Sequence, residues 1–379
     1  MSHPGSHRAS GARSLIGEGQ CLLGKDMATD ESFGWPHMML SEDDLEAGTI
    51  SSIALAPGGE FVATGSDDSA VRVWSVKTGQ LFRKWQAHED SVWTVAFSPS
   101  GTQVASGSAD ASIILWDLHS ATGAGEVGRL KGHDLDVWQV AYSPDGSMLA
   151  SGAGDNTVMV WDPQGQALLH TLRGHTTQII HLAFTADNTR IVSCAEARGI
   201  VWDAVSGMPI AALEDHTGSI WSMALSHAGD RIITGSEDHT ARIWDTATGQ
   251  ELVRIHEHMG PIWAVAFSPD DEEVVTGSYD STLATNDSWS GERRQVFSEN
   301  PGPIDALAYS SNGKFIASGA ADGNVKLWSR RDGSMLAEFS GHEDKCKSAT
   351  FINGNKDLLT SSDDRSLRVW SVQDVLRLV

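Results

Sequence analysis

Tryptophan recurs in this chain at a nearly fixed interval. Trp74, Trp116, Trp161, Trp202, Trp244, Trp328 and Trp370 each close a short alternating apolar stretch, such as Val71-Arg72-Val73-Trp74 or Ala241-Arg242-Ile243-Trp244. With Asn286 taken as the place of an absent tryptophan, the spacings are 42, 45, 41, 42, 42, 42 and 42 residues. A period of this length, held over most of a 379-residue chain, is the mark of one supersecondary unit repeated.

Each period has the same internal plan. In residues 88–132, Val92 to Phe97 alternates apolar and small residues, and Ser98-Pro99-Ser100-Gly101 supplies turn chemistry. Val104-Ala105-Ser106 reads as a second strand, with Ala109-Asp110 at the next turn. Ile113-Ile114-Leu115-Trp116 is a third strand and Val127-Gly128-Arg129-Leu130 a fourth, before Gly132-His133 opens the next period. Few stretches have the 3.6-residue periodicity and length of an amphipathic helix. The pattern predicts an all-β chain of four-stranded units.

A single four-stranded sheet cannot bury both faces, whereas eight stacked radially cover one another. Gly132-His133, Gly174-His175 and Gly341-His342, together with Trp116-Asp117, Trp161-Asp162, Trp202-Asp203 and Trp244-Asp245, resemble the repeats of the WD-repeat family over roughly residues 46–379. The resemblance implies a β-propeller of eight four-stranded blades; the alternative is seven blades with one divergent repeat displaced. It also implies a hydrogen-bonded chain inside a blade, running through a His, a Ser or Thr, an Asp and the strand-c Trp. A buried indole N–H needs an acceptor and a buried imidazole an orienting carboxylate. The matching sets are His88, Ser106, Asp110, Trp116; His133, Ser151, Asp155, Trp161; His216, Thr234, Asp238, Trp244; and His342, Thr360, Asp364, Trp370.

Four repeats depart from this pattern. The first has Glu46 in place of His. The fourth keeps His175, Ser193 and Trp202 but is one residue short around Glu196-Ala197 and lacks the Asp. The sixth has Asn286 for Trp, and the seventh Asn300 for His. These blades are expected to be locally less stable, the sixth most of all. Ring closure needs an outer strand for the last blade, from Val375 to Val379 or from the chain near Pro36 to Leu40. Residues 1–45, rich in Gly, Ser and His and then acidic at Glu42-Asp43-Asp44, read as a disordered arm ahead of the propeller at 46–379.

With 27 Lys+Arg against 50 Asp+Glu, the net charge of −23 opposes direct binding to nucleic acid or anionic membranes. Arg330 and Arg331 are the nearest approach to a basic spot. Cys21, Cys194 and Cys346 are too few and too scattered for a disulfide framework, as in a reducing compartment. With no bilayer-length apolar run and no signal-like core after Met1-Ser2-His3-Pro4, the expected location is intracellular, cytoplasmic or nuclear.

No motif points to catalysis. Gly123-Ala124-Gly125-Glu126-Val127-Gly128 matches a dinucleotide fingerprint in letters only, since it follows a polar turn and precedes a strand. In His256-Glu257-His258, His258 falls at the repeat's structural position and no third ligand with zinc-like spacing is near. There is no Walker loop and no nucleophile elbow. The expectation is a non-enzyme with no cofactor, no metal and no small-molecule substrate.

The sharper signal lies five residues after each structural His position, where Ser51, Trp93, Trp138, Ile180, Trp221, Trp263, Asp305 and Lys347 stand. The family resemblance implies that this position faces the top of the propeller near its channel. Tyr279 precedes the blade-six Asp at another top position. Trp93, Trp138, Ile180, Trp221, Trp263 and Tyr279 would then form an aromatic arc fit for partner proteins. The competing reading is that these tryptophans pack between blades. Rim acids Asp67, Asp90, Asp136, Glu237, Asp305 and Asp363 suggest partners with basic segments, an Arg stacked on Trp and paired to a carboxylate. The expected role is a protein-binding scaffold. The alternatives are a substrate receptor of a cullin-type ubiquitin ligase, although Trp328-Ser329-Arg330-Arg331 lacks the Asp of the docking motif, or a subunit of a transcriptional or chromatin complex.

Overall fold

The computed structural model describes residues 21–22, 37–38, 48–121, 125–298, 300 and 302–377. The readings placed on the rest of the 1–45 arm, on Glu46, on part of the Gly123–Gly128 stretch and on Leu378 and Val379 lie outside these residues.

Eight antiparallel sheets follow one another along the chain, and eight is the number of blades. Blade 2 is representative: strand a is Val92–Phe97, b Gln103–Ser108, c Ser112–Asp117 and d Glu126–Lys131. Alternation along strand a buries Val92 and Val95, while strands b and c are almost wholly buried because a neighbouring blade covers each face. Apolar side chains interlock from blade to blade. Val71, Val73 and Trp85 of blade 1 pack with Val92, Val104 and Trp116 of blade 2. The ring closes the same way, Ile50, Val62 and Trp74 of blade 1 meeting Ile352, Leu359 and Leu367 of blade 8. Glycine in strand b makes the close approach possible: a Cβ on Gly107 would stand 2.6 Å from Val137 Cγ1 of the next blade.

The last blade takes its outer strand from the N-terminal side. His37 pairs with Val369 and Met38 with Arg368, on the free edge of strand c, Leu367–Ser371. Cys21–Leu22 adds a fifth strand to blade 7 through Phe339 and Glu338. The C-terminal alternative is corrected: Val372–Leu376 is a short α-helix, not a strand. The Ser371 hydroxyl caps it by accepting the Asp374 N–H, and Val372 and Val375 are buried in the core shared by blades 7 and 8.

Candidate functional site

In each blade the loop entering strand a and the turn between strands b and c lie at the same end, here called the top. The complete sets tie these two loops together. His88 Nδ1 lies 2.9 Å from Asp110 Oδ2 and Nε2 2.7 Å from Ser106 Oγ, which accepts the Trp116 indole N–H at 2.8 Å. Blade 3 repeats this with His133, Asp155, Ser151 and Trp161 at 2.9, 2.7 and 2.8 Å. In blade 5, His216, Asp238, Thr234 and Trp244 are joined by three bonds of 2.8 Å. In blade 8, His342, Asp364, Thr360 and Trp370 are joined at 2.9, 2.8 and 2.8 Å.

The carboxylate sets the direction of this relay. Burial opposes ionisation of Asp110, but bonds from Ser112, the Glu89 N–H and His88 hold its carboxyl down at about 2. An ionised Asp requires Nδ1–H to donate. Nε2 of the neutral ring then accepts from the hydroxyl, whose oxygen accepts the indole N–H. Burial holds the His88, His133 and His342 imidazoles below the usual histidine range, so they are neutral relays.

The divergent blades solve the same problem differently. In blade 1, Asp68 pairs with Arg72 on the next strand. Blade 6 keeps His258 Nδ1 at 3.2 Å from Asp280 and Nε2 at 2.8 Å from Thr276, with buried Asn286 bonding the Gly291 carbonyl where an indole would stand. In blade 7 the Trp328 indole still donates to Ser318 at 2.9 Å. His256-Glu257-His258 is divided: His258 belongs to the relay, Glu257 pairs with Arg293, and His256 faces solvent. Among the described residues no group of three or more His, Cys, Asp or Glu is placed to hold a metal ion. Arg330 is not a free basic spot, because Asp270 and Glu273 hold it at 2.8 and 3.2 Å.

The position five residues after each His has a structural cause that the sequence does not display. In blade 2, Val92 pairs with Ser108 and Thr94 with Gly107, leaving Trp93 as the extra residue of a β-bulge. The same register shift skips Ser51, Trp138, Trp221, Trp263, Asp305 and Lys347. A bulge re-aims the side chain it inserts, and the residues it re-aims here stand beside the top loops. Blade 4 has no such shift; its strand a starts at His181, paired directly with Cys194, and the Ile180 N–H bonds the Cys194 carbonyl.

The aromatic arc is not uniform. Trp93 and Trp138 stack on each other across two blades, 5.0 Å apart, and the Trp93 indole N–H is buried without a partner. Trp263 meets Tyr279 edge-on at 4.9 Å. Trp221 stands open at 43 % exposure, with Tyr279 at 53 %, Met259 at 87 % and Leu135 at 53 % in other top loops. Sequence reading did not single out Lys345. Its Nζ lies 4.8 Å from the Trp263 ring centroid and 2.8 Å from Asp305, so the cation assigned to a partner at this spot comes from the chain itself. Lys347 likewise holds Asp363 at 2.6 Å. The remaining rim acids Asp67, Asp90 and Glu237 are exposed, and Asp136 is half-buried.

The family model for the WD domain, G-beta repeat, matches residues 43–75, 79–117 and 125–162. That for the IFT122 first beta-propeller matches 178–373, just over half of the chain. The chain belongs to the WD-repeat β-propeller family. Among curated proteins, this propeller resembles eukaryotic translation initiation factor 3 subunit I of Schizosaccharomyces pombe, 29 % identical over 73 residues (19 % of this chain, 22 % of that one). It also resembles the ribosome biogenesis protein BOP1 homolog of Arabidopsis thaliana, 36 % identical over 55 residues (14 % and 7 %). WD repeat-containing protein pop1 of S. pombe is 33 % identical over 69 residues (18 % and 9 %). The matched segments thus span at most 22 % of these relatives. Among solved structures, the computationally designed Ika8 protein superposes with a TM-score of 0.76 at 29 % identity, over 86 % of this chain and 96 % of its own. No catalytic family is among these matches, and no helix of the described residues is long and apolar enough to cross a membrane.

Proposed function

We propose that this WD-repeat propeller is a non-catalytic scaffold that binds partner proteins through its top face, chiefly over blades 5 and 6. The observation that carries this reading is the exposure of Trp221, at the bulge of strand a in blade 5, together with Met259 and Tyr279 in top loops of blade 6. Large apolar side chains left in water cost solubility, and aromatic ones dominate binding energy where they are later covered. The open rim acids and the net charge of −23 support a partner with basic segments. The relatives' names, an initiation-factor subunit among them, support a place within a larger assembly.

The test is affinity purification with mass spectrometry from native cells, comparing the wild type with Trp138→Ala/Trp221→Ala and with Trp221→Ala/Tyr279→Ala. Thermal melts control for folding. Partners retained by the wild type and lost by both folded variants are the expected result. An unchanged partner set would overturn the top-face reading.

A further inference from the structure

Blade 4 carries a second feature on the same face. Its b–c turn is one residue shorter than the others, so Ala195 pairs directly with Arg198 across Glu196-Ala197. The shortening removes the aspartate but not its donors. His175 still offers Nε2 to Ser193 at 2.8 Å, and the Trp202 indole donates to the same Ser193 oxygen at 2.8 Å. Ser193 is wholly buried, and Nε2 is the acceptor within reach of its hydroxyl proton. His175 therefore carries its own proton on Nδ1, the nitrogen that faces Asp in blades 2, 3, 5, 6 and 8. In those blades the backbone N–H after the His also donates to the Asp, as Thr217 does to Asp238 at 3.1 Å; the matching N–H in blade 4, that of Thr176, meets no carboxylate among the described residues.

A cleft of about 260 Å³ opens where the aspartate would stand, lined by His175 to Thr177, the turn at 195–198 and Glu214 to His216. Two non-glycine residues on its wall hold positive φ, Glu196 at 47° and Asp215 at 142°. Arg198, which also lines the cleft, forms a 2.9 Å pair with Glu214. The cleft's acids Glu196, Glu214 and Asp215 are exposed, so water and salt screen them, whereas His175 is partly buried. The cleft is continuous with the proposed binding face, because the Glu196 carbonyl accepts the N–H of Ile220, the residue before Trp221, at 2.7 Å.

We propose that the blade-4 cleft takes an Asp or Glu side chain from a partner protein, which seats its carboxylate on His175 Nδ1–H and the Thr176 N–H in the place of the missing aspartate. The proposal rests on the reading that the top face binds protein, and it adds an acidic anchor to a partner otherwise recognised through apolar and basic groups.

The test follows the side-chain nitrogens of His175 by NMR in the full-length chain labelled with 15N-histidine, assigned by their loss in His175→Gln. The probes are the blocked tripeptide acetyl-Gly-Asp-Gly-amide, its Asn counterpart and sodium acetate. The Asp peptide is expected to move the Nδ1 resonance saturably, at least tenfold more tightly than the Asn peptide and more tightly than acetate. Inserting one Asp between Glu196 and Ala197 should abolish the response by occupying the seat internally. Should that insertion misfold, Arg198→Gln, at an exposed side chain, should weaken the response several-fold with an unchanged melt. Equal responses to the Asp and Asn peptides, or a response that survives both variants, would overturn the proposal. Acetate binding as tightly as the Asp peptide would reduce the cleft to a simple anion site and overturn it too. These readouts do not involve Trp221 or Tyr279, so they fail or succeed separately from the partner-loss test.

Discussion

Lys345 lies with its Nζ 4.8 Å from the centroid of the Trp263 ring. The same nitrogen is 2.8 Å from Asp305, whose other carboxylate oxygen is buried without a partner. Burial pushes the Asp305 carboxyl above the usual range, with Lys345 pulling the other way. Lys345→Met should leave that carboxylate without its paired cation, with only the more distant Lys347 still acting on it, and cost about 2 kcal/mol, within the range for breaking partly buried pairs. Adding Asp305→Asn should recover most of the loss, and a double-mutant cycle in urea measures it. Additive effects of the two changes would show that the pair is not coupled.

The relays give a second prediction. His216→Ala removes one bond from Asp238 and one from Thr234 in a buried relay, and should destabilise the protein by about 3 kcal/mol. His175→Ala removes only the bond to Ser193 and should cost about half as much. Denaturant midpoints of the two variants, set against the wild type, decide it; equal losses would mean that the carboxylate adds nothing to the relay.

Trp93 permits a test of packing against hydrogen bonding. Its indole N–H is buried without an acceptor while its ring stacks on Trp138. Trp93→Phe removes an unsatisfied donor and keeps an aromatic ring, so stability should stay within about 1 kcal/mol of the wild type. Trp116→Phe, by contrast, loses a real bond to Ser106 and leaves a gap, and should cost about 2 kcal/mol or more. A Trp93→Phe loss as large as that of Trp116→Phe would contradict the assignment.

Stability should fall on acidification in two stages. Burial depresses the His88, His133, His258 and His342 imidazoles, and with Arg198 nearby it takes His175 down to about 4. The unfolded chain, with ordinary histidines near 6.5, then binds more protons than the native one. The contribution of these groups is complete above pH 6.5 and declines as the pH falls below it. Asp110, held at about 2, and Asp155 and Asp280, also held below the usual range, contribute fully above about pH 4, and their contribution is lost as the pH falls below it. Urea midpoints should therefore be level from pH 8 to 7, lower at pH 5 and lowest at pH 3. A midpoint that is constant between pH 7.5 and pH 5 would show that the buried histidines do not govern the first stage.

The sequence by itself determined an all-β chain of four-stranded units repeated about every 42 residues, because each unit must bury both faces against its neighbours; that all eight enter one ring, rather than seven with one displaced, was decided by the tertiary structure. The resemblance to WD repeats marked the His, Ser or Thr, Asp and Trp positions, and the fixed offsets located them in each repeat. Tertiary structure decided what periodicity cannot express. The bulge that aims Trp93, Trp138, Trp221 and Trp263 depends on which residues pair across strands a and b, and letters alone do not give that register. Whether a top-face tryptophan is open or covered depends on what other blades bring to it: Trp138 meets Trp93 from blade 2, Trp263 meets Lys345 from the loop entering blade 8, and Trp221 remains exposed. The missing aspartate of blade 4 was legible as a deletion, but the cleft it leaves became visible only when the His175 loop, the shortened turn and the loop entering blade 5 were brought together, residues up to 41 positions apart meeting around one vacated seat.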